Sequence, residues 1–511
     1  MNRWPAVVLI VLMLGGLVTL DQRSRDGAAD DEVVSDLLRS SAASGSTWYC
    51  PAGFTTPDAS NDHTVIITNP TDAAASGTVT IYPSLVDVLG DPVPFPRAAQ
   101  PVEIAAQSQL ELSLAPLVAS LDVDLATNTG AFVAALAEFD QSGVHVEHRV
   151  AATQGSDIGP CASSASTRWW FASGTTTADV SYQLYLLNPF PDDAVVDISF
   201  ATDDGSRSKA FSGKLVPAQS LTVLQVSPEV PVNAQVAAEI SVLTGRVIAE
   251  RIQIFANEAG PSGLSMSLGA DRLAEQWFFP AGRSIPGAAE SYVIYNPGEE
   301  AAEVEFELKP DSADRVGDVA PRFVPVGPRE RWIVTVSSQP SHPVDALASI
   351  DATAMTSPSE RFFTSIRSFN GVPVAAERIV TRPLAQGGVT SSLGTNVAAT
   401  EHFVGIPAVI SDADAATLAV LNPAGDTIAR VQVLLGGPTG ERLVTEVELA
   451  PRRRAVLALD EIVTAEDEWV HLVSSTGTIA EVTISAGAIV MSTPAIAVDG
   501  TTSVPDLLAF E

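Results

Sequence analysis

Two cysteines, six histidines and seven tryptophans are the side chains of these 511 residues with the most chemistry to offer. Cys50 and Cys161 could form a bond that closes a loop of more than a hundred residues, worth about 4.7 kcal/mol in the chain-entropy model. Two unrelated buried thiols are the other possibility. The histidines (His63, His145, His148, His342, His402, His471) are scattered. His145 and His148 stand three apart on a predicted strand, face opposite sides and cannot share a metal. No nucleophile elbow, phosphate-cradling glycine loop or zincin helix occurs, so no metal, cofactor or catalytic residue is expected, and the chain is not expected to be an enzyme. Trp48, Trp169, Trp170 and Trp277 are candidate ligand contacts, since exposed aromatic faces stack on sugar rings; a tryptophan on a recurrent first strand also serves as core.

These residues fall into a pattern written four times. Trp48-Tyr49, Trp169-Trp170-Phe171, Trp277-Phe278-Phe279 and Phe403 after His402 are each followed about twenty residues later by a strand ending in Asn-Pro. The dipeptides Asn69-Pro70, Asn188-Pro189, Asn296-Pro297 and Asn422-Pro423 are 119, 108 and 126 residues apart. Such separations are domain-sized. After Asn-Pro comes a strand of period two, as where Glu303, Glu305 and Glu307 alternate with Val304, Phe306 and Leu308. This is the mark of a half-buried strand. Proline ends a strand because it cannot donate to the ladder, and the asparagine side chain can bond the following backbone.

Each unit closes with two strands around a glycine, at Ser142-Gly143, Thr244-Gly245, Asn370-Gly371 and Thr476-Gly477, which reads as a hairpin. The last strand carries Glu147, Glu250, Glu377 or Glu481, followed by Arg251 and Arg378 in the middle units; an ion pair facing solvent or a neighbouring domain is expected. Arg452-Arg453-Arg454 reads as a solvated turn. About seven strands per unit and no sustained helical period predict an all-β fold of four tandem antiparallel β-sandwich (Ig-like) repeats. The expected boundaries are 46–159, 167–259, 275–386 and 400–500. The Gly/Ser/Ala stretches between them read as flexible linkers or edge-covering segments.

Ahead of the repeats, Trp4 to Leu20 form seventeen residues without a charge, roughly 25 Å as a helix. That suits a single transmembrane helix over residues 1–21, uncleaved because four charged residues separate it from the nearest small-residue pattern. A membrane-proximal linker over 22–45 follows. A net charge of −33 repels nucleic acid. The cysteines and the charge place the bulk of the chain outside a cell membrane.

Ser46-Thr47-Trp48-Tyr49-Cys50-Pro51-Ala52-Gly53, with His63 to Pro70 after it, resembles an uncharacterised family of actinobacterial membrane-anchored extracellular proteins. The resemblance implies a cell-envelope setting and carries no activity or site residues. The expected function is a non-enzymatic, membrane-tethered envelope scaffold that binds a protein partner. The alternatives are a glycan-binding module and an accessory subunit of a membrane glycan-synthesising enzyme.

Overall fold

The computed structural model describes residues 46–498 and Thr502–Ser503, apart from internal stretches of which the longest are 122–130, 312–318, 338–348 and 352–359. The expected transmembrane helix and the linker after it fall outside the described residues. Among those described, no helix is long and apolar enough to cross a membrane.

The described chain is built of antiparallel sheets, with one parallel pairing of Arg331–Ser337 and Ser349–Asp351, and two short helical turns, Ala115–Ala119 and Leu459–Ile462. One pairing scheme appears in residues 46–160, 168–268, 276–393 and 397–497, called here modules 1 to 4. In module 2 one sheet joins Arg168–Phe171, Val236–Thr244, Ala194–Thr202 and Arg207–Val216 in that spatial order. The facing sheet joins Ser220–Gln225, Val180–Asn188, Ile248–Ala256 and Ser262–Leu268. The scheme therefore has eight strands, not the seven expected. In modules 1 to 3 the eighth falls in a segment that composition marks as a linker: Gly155–Pro160, Ser262–Leu268 and Val389–Leu393 are strands, as is Ile489–Pro494 in module 4. Modules 2 and 3 therefore run past 259 and 386, and module 4 opens at Val397, not 400. Small residues suit these strands because all four meet along one line, each touching the next and the last returning to the first.

The alternating strands bury their apolar phase as expected: Ala302–Pro310 is buried at every second residue and half-buried between. The glycine turns do not form hairpins. Gly143, Gly245 and Gly371 take positive φ, but the strands they join lie in different sheets, Ala131–Phe139 in one and His145–Ala152 in the other. In module 4, Trp469–Ala486 runs unbroken through Thr476-Gly477 and serves both sheets. Turn chemistry is local, whereas the choice of pairing partner is made by the sandwich as a whole.

Each Asn-Pro asparagine is fully buried. Asn188 Nδ2 donates to Asp192 O (2.9 Å) and Val216 O (3.1 Å), while Oδ1 accepts from Phe190 N (3.1 Å). Asn69, Asn296 and Asn422 repeat this set. The side chain thus stands in for backbone partners at the strand end. A second recurrence is conformational: Gln107, Gln219, Arg329 and Arg452, each just before the following strand, have φ of 51°, 53°, 59° and 53°.

The tryptophans are core. Trp48, Trp169 and Trp277 are at most 2% exposed, and Trp170 is 6% exposed. The first three donate Nε1–H to Val144 O (2.9 Å), Val247 O (3.1 Å) and Val374 O (2.8 Å), just past the turn glycine. In module 4 the imidazole of His402 takes this place, with Nε2 2.9 Å from Thr478 O. Apolar cores run across module boundaries: Trp170 and Ala237 share a cluster with Trp277 and Val293, and Ile66 and Ile158 share one with Val404 and Leu418.

Candidate functional site

The four recurrent glutamates, which local pattern places at a sheet surface, are at most 4% exposed. Each reaches a backbone N–H near the end of the opening strand of a neighbouring module, inside it or just past it. Ala52 N donates to Glu250 (3.0 Å), Ala172 N to Glu377 (2.8 Å), Ala281 N to Glu481 (3.0 Å) and Gly405 N to Glu147 (2.6 Å). Modules 1, 2, 3 and 4 are thereby linked 1–2, 2–3, 3–4 and 4–1, a heterologous contact that closes on itself.

The residue after each glutamate supplies the countercharge to the next one. Arg251 Nη2 lies 2.9 Å from Glu377 Oε2 and also donates to Ser391 Oγ at 3.1 Å. Arg378 Nη2 meets Glu481 Oε1 at 2.5 Å and donates to Ser492 Oγ at 2.8 Å. Arg251 Nη1 adds a bond to Ser173 O, and Ser173 Oγ donates to Glu377. The ion pairs expected from sequence therefore exist in their inter-module form, fully desolvated. A buried charge is tolerable only when so paired.

In module 1 the position is His148, whose Nε2 lies 3.2 Å from Glu250 Oε1. His148 Nδ1 lies 3.0 Å from His63 Nε2, and His63 Nδ1 lies 2.9 Å from Val133 O. A carbonyl only accepts, so His63 donates from Nδ1. Burial, then the His148 charge, holds the His63 imidazole well below the usual range and therefore neutral. Its Nε2 accepts from His148 Nδ1–H, and His148 Nε2 faces Glu250 Oε1. His63 and His148 look unrelated along the chain; a strand pairing with Val65 opposite His148 brings them together.

In module 4 the position is Val482, and the cycle of basic side chains is broken. Glu147 keeps the Gly405 N–H, but its Oε1 is buried without a partner. Burial raises its carboxyl to about 8, the Gly405 N–H pulling the other way. The same 4–1 contact stacks His145 on Phe403 (4.5 Å, 20°) and Phe403 on His471 (4.2 Å, 11°). Burial lowers His145 to about 3. Burial also opposes the charge on His471, but hydrogen bonds to Glu401 and Glu441 outweigh it and raise the imidazole to about 9.

On the central line, Asp157 joins all modules. It accepts from Met266 N (2.8 Å) of module 2, Thr390 Oγ1 (3.0 Å) of module 3 and the Ser492 backbone of module 4. Burial pushes this carboxyl well above the usual range. Beside it lies a cavity of about 30 Å³ lined by Ile158, Pro160, Met266, Leu268, Leu393 and Pro494. That is far below the roughly 300–1,000 Å³ of a small-molecule site.

Cys50 and Cys161 are bonded, closing the opening strand of module 1 onto the end of its eighth. The arginine triplet is not a solvated turn. Arg454, 1% exposed, reaches Asp311 at 2.7 Å and donates to Pro280 O and Gly282 O, locking module 4 onto module 3. Arg452 meets Glu307 at 2.5 Å. The polar residues that recur along the sequence are thus brought together as fastenings between modules, while the predicted aromatic contacts lie inside. A signal was present for the fastenings: a glutamate recurring at one register of a strand, with a basic residue after it.

Residues 133–321 match the model of DUF5719, a family of unknown function. No curated protein matches the chain. Among solved structures it is similar to Thermotoga maritima 1070, with 13% identity over 20% of this chain and 93% of that one (TM-score 0.18). It is similar to the Anabaena sensory rhodopsin transducer at 19% identity over 17% and 96% (TM-score 0.15). A tetra-tandem repeat from the extending region of a large adhesion protein is similar at 11% identity over 88% and 99% (TM-score 0.08).

Proposed function

We propose that this chain is a non-enzymatic scaffold of the cell envelope, in which four duplicated Ig-like sandwiches form one closed ring. The apolar segment over residues 4–20 tethers that ring to the outer side of a membrane. The observation that carries this reading is the cyclic set of glutamate-to-backbone bonds. Recurrent polar side chains that could have formed a reactive site are consumed in fixing the modules to one another, which leaves a stiff body whose outer faces are available for a partner. The disulfide agrees with an oxidising compartment.

A glycan-binding role loses the tryptophans, and rests instead on Phe323 and Phe369 of module 3, 64% and 51% exposed with ring centroids 6.0 Å apart. Photo-crosslinkers at Phe323 and Leu443 in intact cells test the scaffold. A discrete protein adduct that survives enzymatic removal of envelope polysaccharide supports it. Retention of the fragment from Asp31 onward on purified polysaccharide, lost on Phe323→Ala and Phe369→Ala, would replace it with the glycan role. Protease sensitivity of the modules from the cytoplasmic side alone would overturn the tether.

A further inference from the structure

The four contacts of the ring are not equivalent, and the difference has a direction. Contacts 1–2, 2–3 and 3–4 each bury a glutamate against both a backbone N–H and a basic side chain: His148, Arg251 or Arg378. The contact between modules 4 and 1 buries Glu147 against an N–H alone. Val482 stands where the others carry a basic side chain. Gly405 replaces the alanines of the other modules, and a Cβ there would lie 2.7 Å from Glu147 Oε2, so the glutamate approaches the backbone more closely here. Other polar fastenings of this contact among the described residues are also backbone or amide donors to acceptors: Gln109 N to Glu468 (2.5 Å), Ala408 N to Glu111 (2.7 Å), Gln109 Nε2 to Ile406 O (2.9 Å) and the Ser492 backbone to Asp157.

From this asymmetry we infer that the contact between modules 4 and 1 is a pH-sensitive latch: it is closed while Glu147 carries its proton, and it loosens as Glu147 ionises, opening the ring at one defined place.

Titratable and charged neighbours come from every side. On its own strand stand His145, His148 and Arg149, and on the strands beside it Asp62, His63, Glu111 and Asp157. Module 4 presents Glu401, His402, Glu468, His471 and Glu481. Of these Arg149 is the one permanent cation, and it makes no hydrogen bond with Glu147; the influences on the Glu147 carboxyl are burial and the Gly405 N–H. The sign follows from proton binding. The closed contact holds the proton up to about pH 8, whereas a glutamate released to water loses it near 4.3. The stabilisation is complete below that ordinary value, declines as pH rises through the interval, and is gone above about 8. His471, raised to about 9, loosens its ion pairs with Glu401 and Glu441 in the same direction but at higher pH, and those pairs lie within module 4.

Amide hydrogen exchange of the intact chain at pH 6 and pH 9, corrected for intrinsic rates, tests the latch. Linkage predicts that opening at Gly405 and at Asp62–Asn69 increases on the order of tenfold to a hundredfold between those values. The matching amides Ala172 and Ala281 should hold. Glu147→Gln, which copies the neutral acid, should abolish the increase, and Val482→Arg, which restores a cation, should reduce it. Equal protection at all four contacts at pH 9 overturns the latch. So does an increase undiminished in Glu147→Gln, which would assign the effect to His471. Should Glu147→Gln fail to fold, the comparison among contacts in the unaltered chain still decides.

Discussion

Arg251, buried between Glu377, Ser173 and Ser391, shows how a side chain changes role with context. On an exposed strand such a pair contributes little. Here, removing one member leaves a desolvated charge, so Arg251→Ala is expected to destabilise by about 3–5 kcal/mol. Arg251→Met combined with Glu377→Leu is expected to recover most of that. Urea denaturation of the unaltered protein and these two variants checks it, and an equal loss in the single and the double variant would refute the pairing. His471 is a second test at this scale. Its two glutamates hold the imidazole charged up to about pH 9. The stability they lend is present below the ordinary histidine value of about 6.5 and is lost as pH rises through about 9. An NMR titration of the ring with a midpoint near 6.5 would contradict the arrangement.

Turns and strand ends repeat with more fidelity than the strands between them. Gln107, Gln219, Arg329 and Arg452 share a left-handed conformation that glycine adopts without steric cost. Because a β-carbon there costs about 1–2 kcal/mol and glycine returns part of that as unfolded-chain entropy, Gln219→Gly is expected to stabilise by up to about 1 kcal/mol, read as a rise in unfolding midpoint. Asn188→Ala should act oppositely and more strongly, at about 1–3 kcal/mol, since it orphans the buried Val216 carbonyl. The Asn-Pro reading was legible in sequence because the bonds involved span few residues or one hairpin. The sequence pattern predicts seven strands and not eight because Gly155–Pro160, Ser262–Leu268 and Val389–Leu393 are rich in serine or glycine. Composition speaks of flexibility there, and only the meeting of four such strands turns small side chains into an advantage.

At the scale of the molecule, module 1 carries the disulfide and also forms half of the contact that lacks a cation. Cys50–Cys161 spans 111 residues, and its reduction is expected to lower stability by about 2–5 kcal/mol. Loss of protection should be greatest in Ser46–Cys50 and Gly155–Pro160 by hydrogen exchange under reducing conditions. A loss spread evenly over modules 2 to 4 would show that the bond supports the whole ring and not module 1 alone.

The amino-acid sequence by itself determined the all-β character, the period-two faces, the Asn-Pro strand ends and the register at which a glutamate recurs, because each follows from steric and hydrogen-bonding preferences acting over a few residues. Tertiary structure alone decided that the tryptophans face inward, that the glycine turns cross between sheets, and that Glu147, Glu250, Glu377 and Glu481 fasten one module to the next in a closed cycle. Those outcomes depend on which surfaces exclude water from one another. That is a property of groups up to 258 residues apart, and no local pattern encodes it.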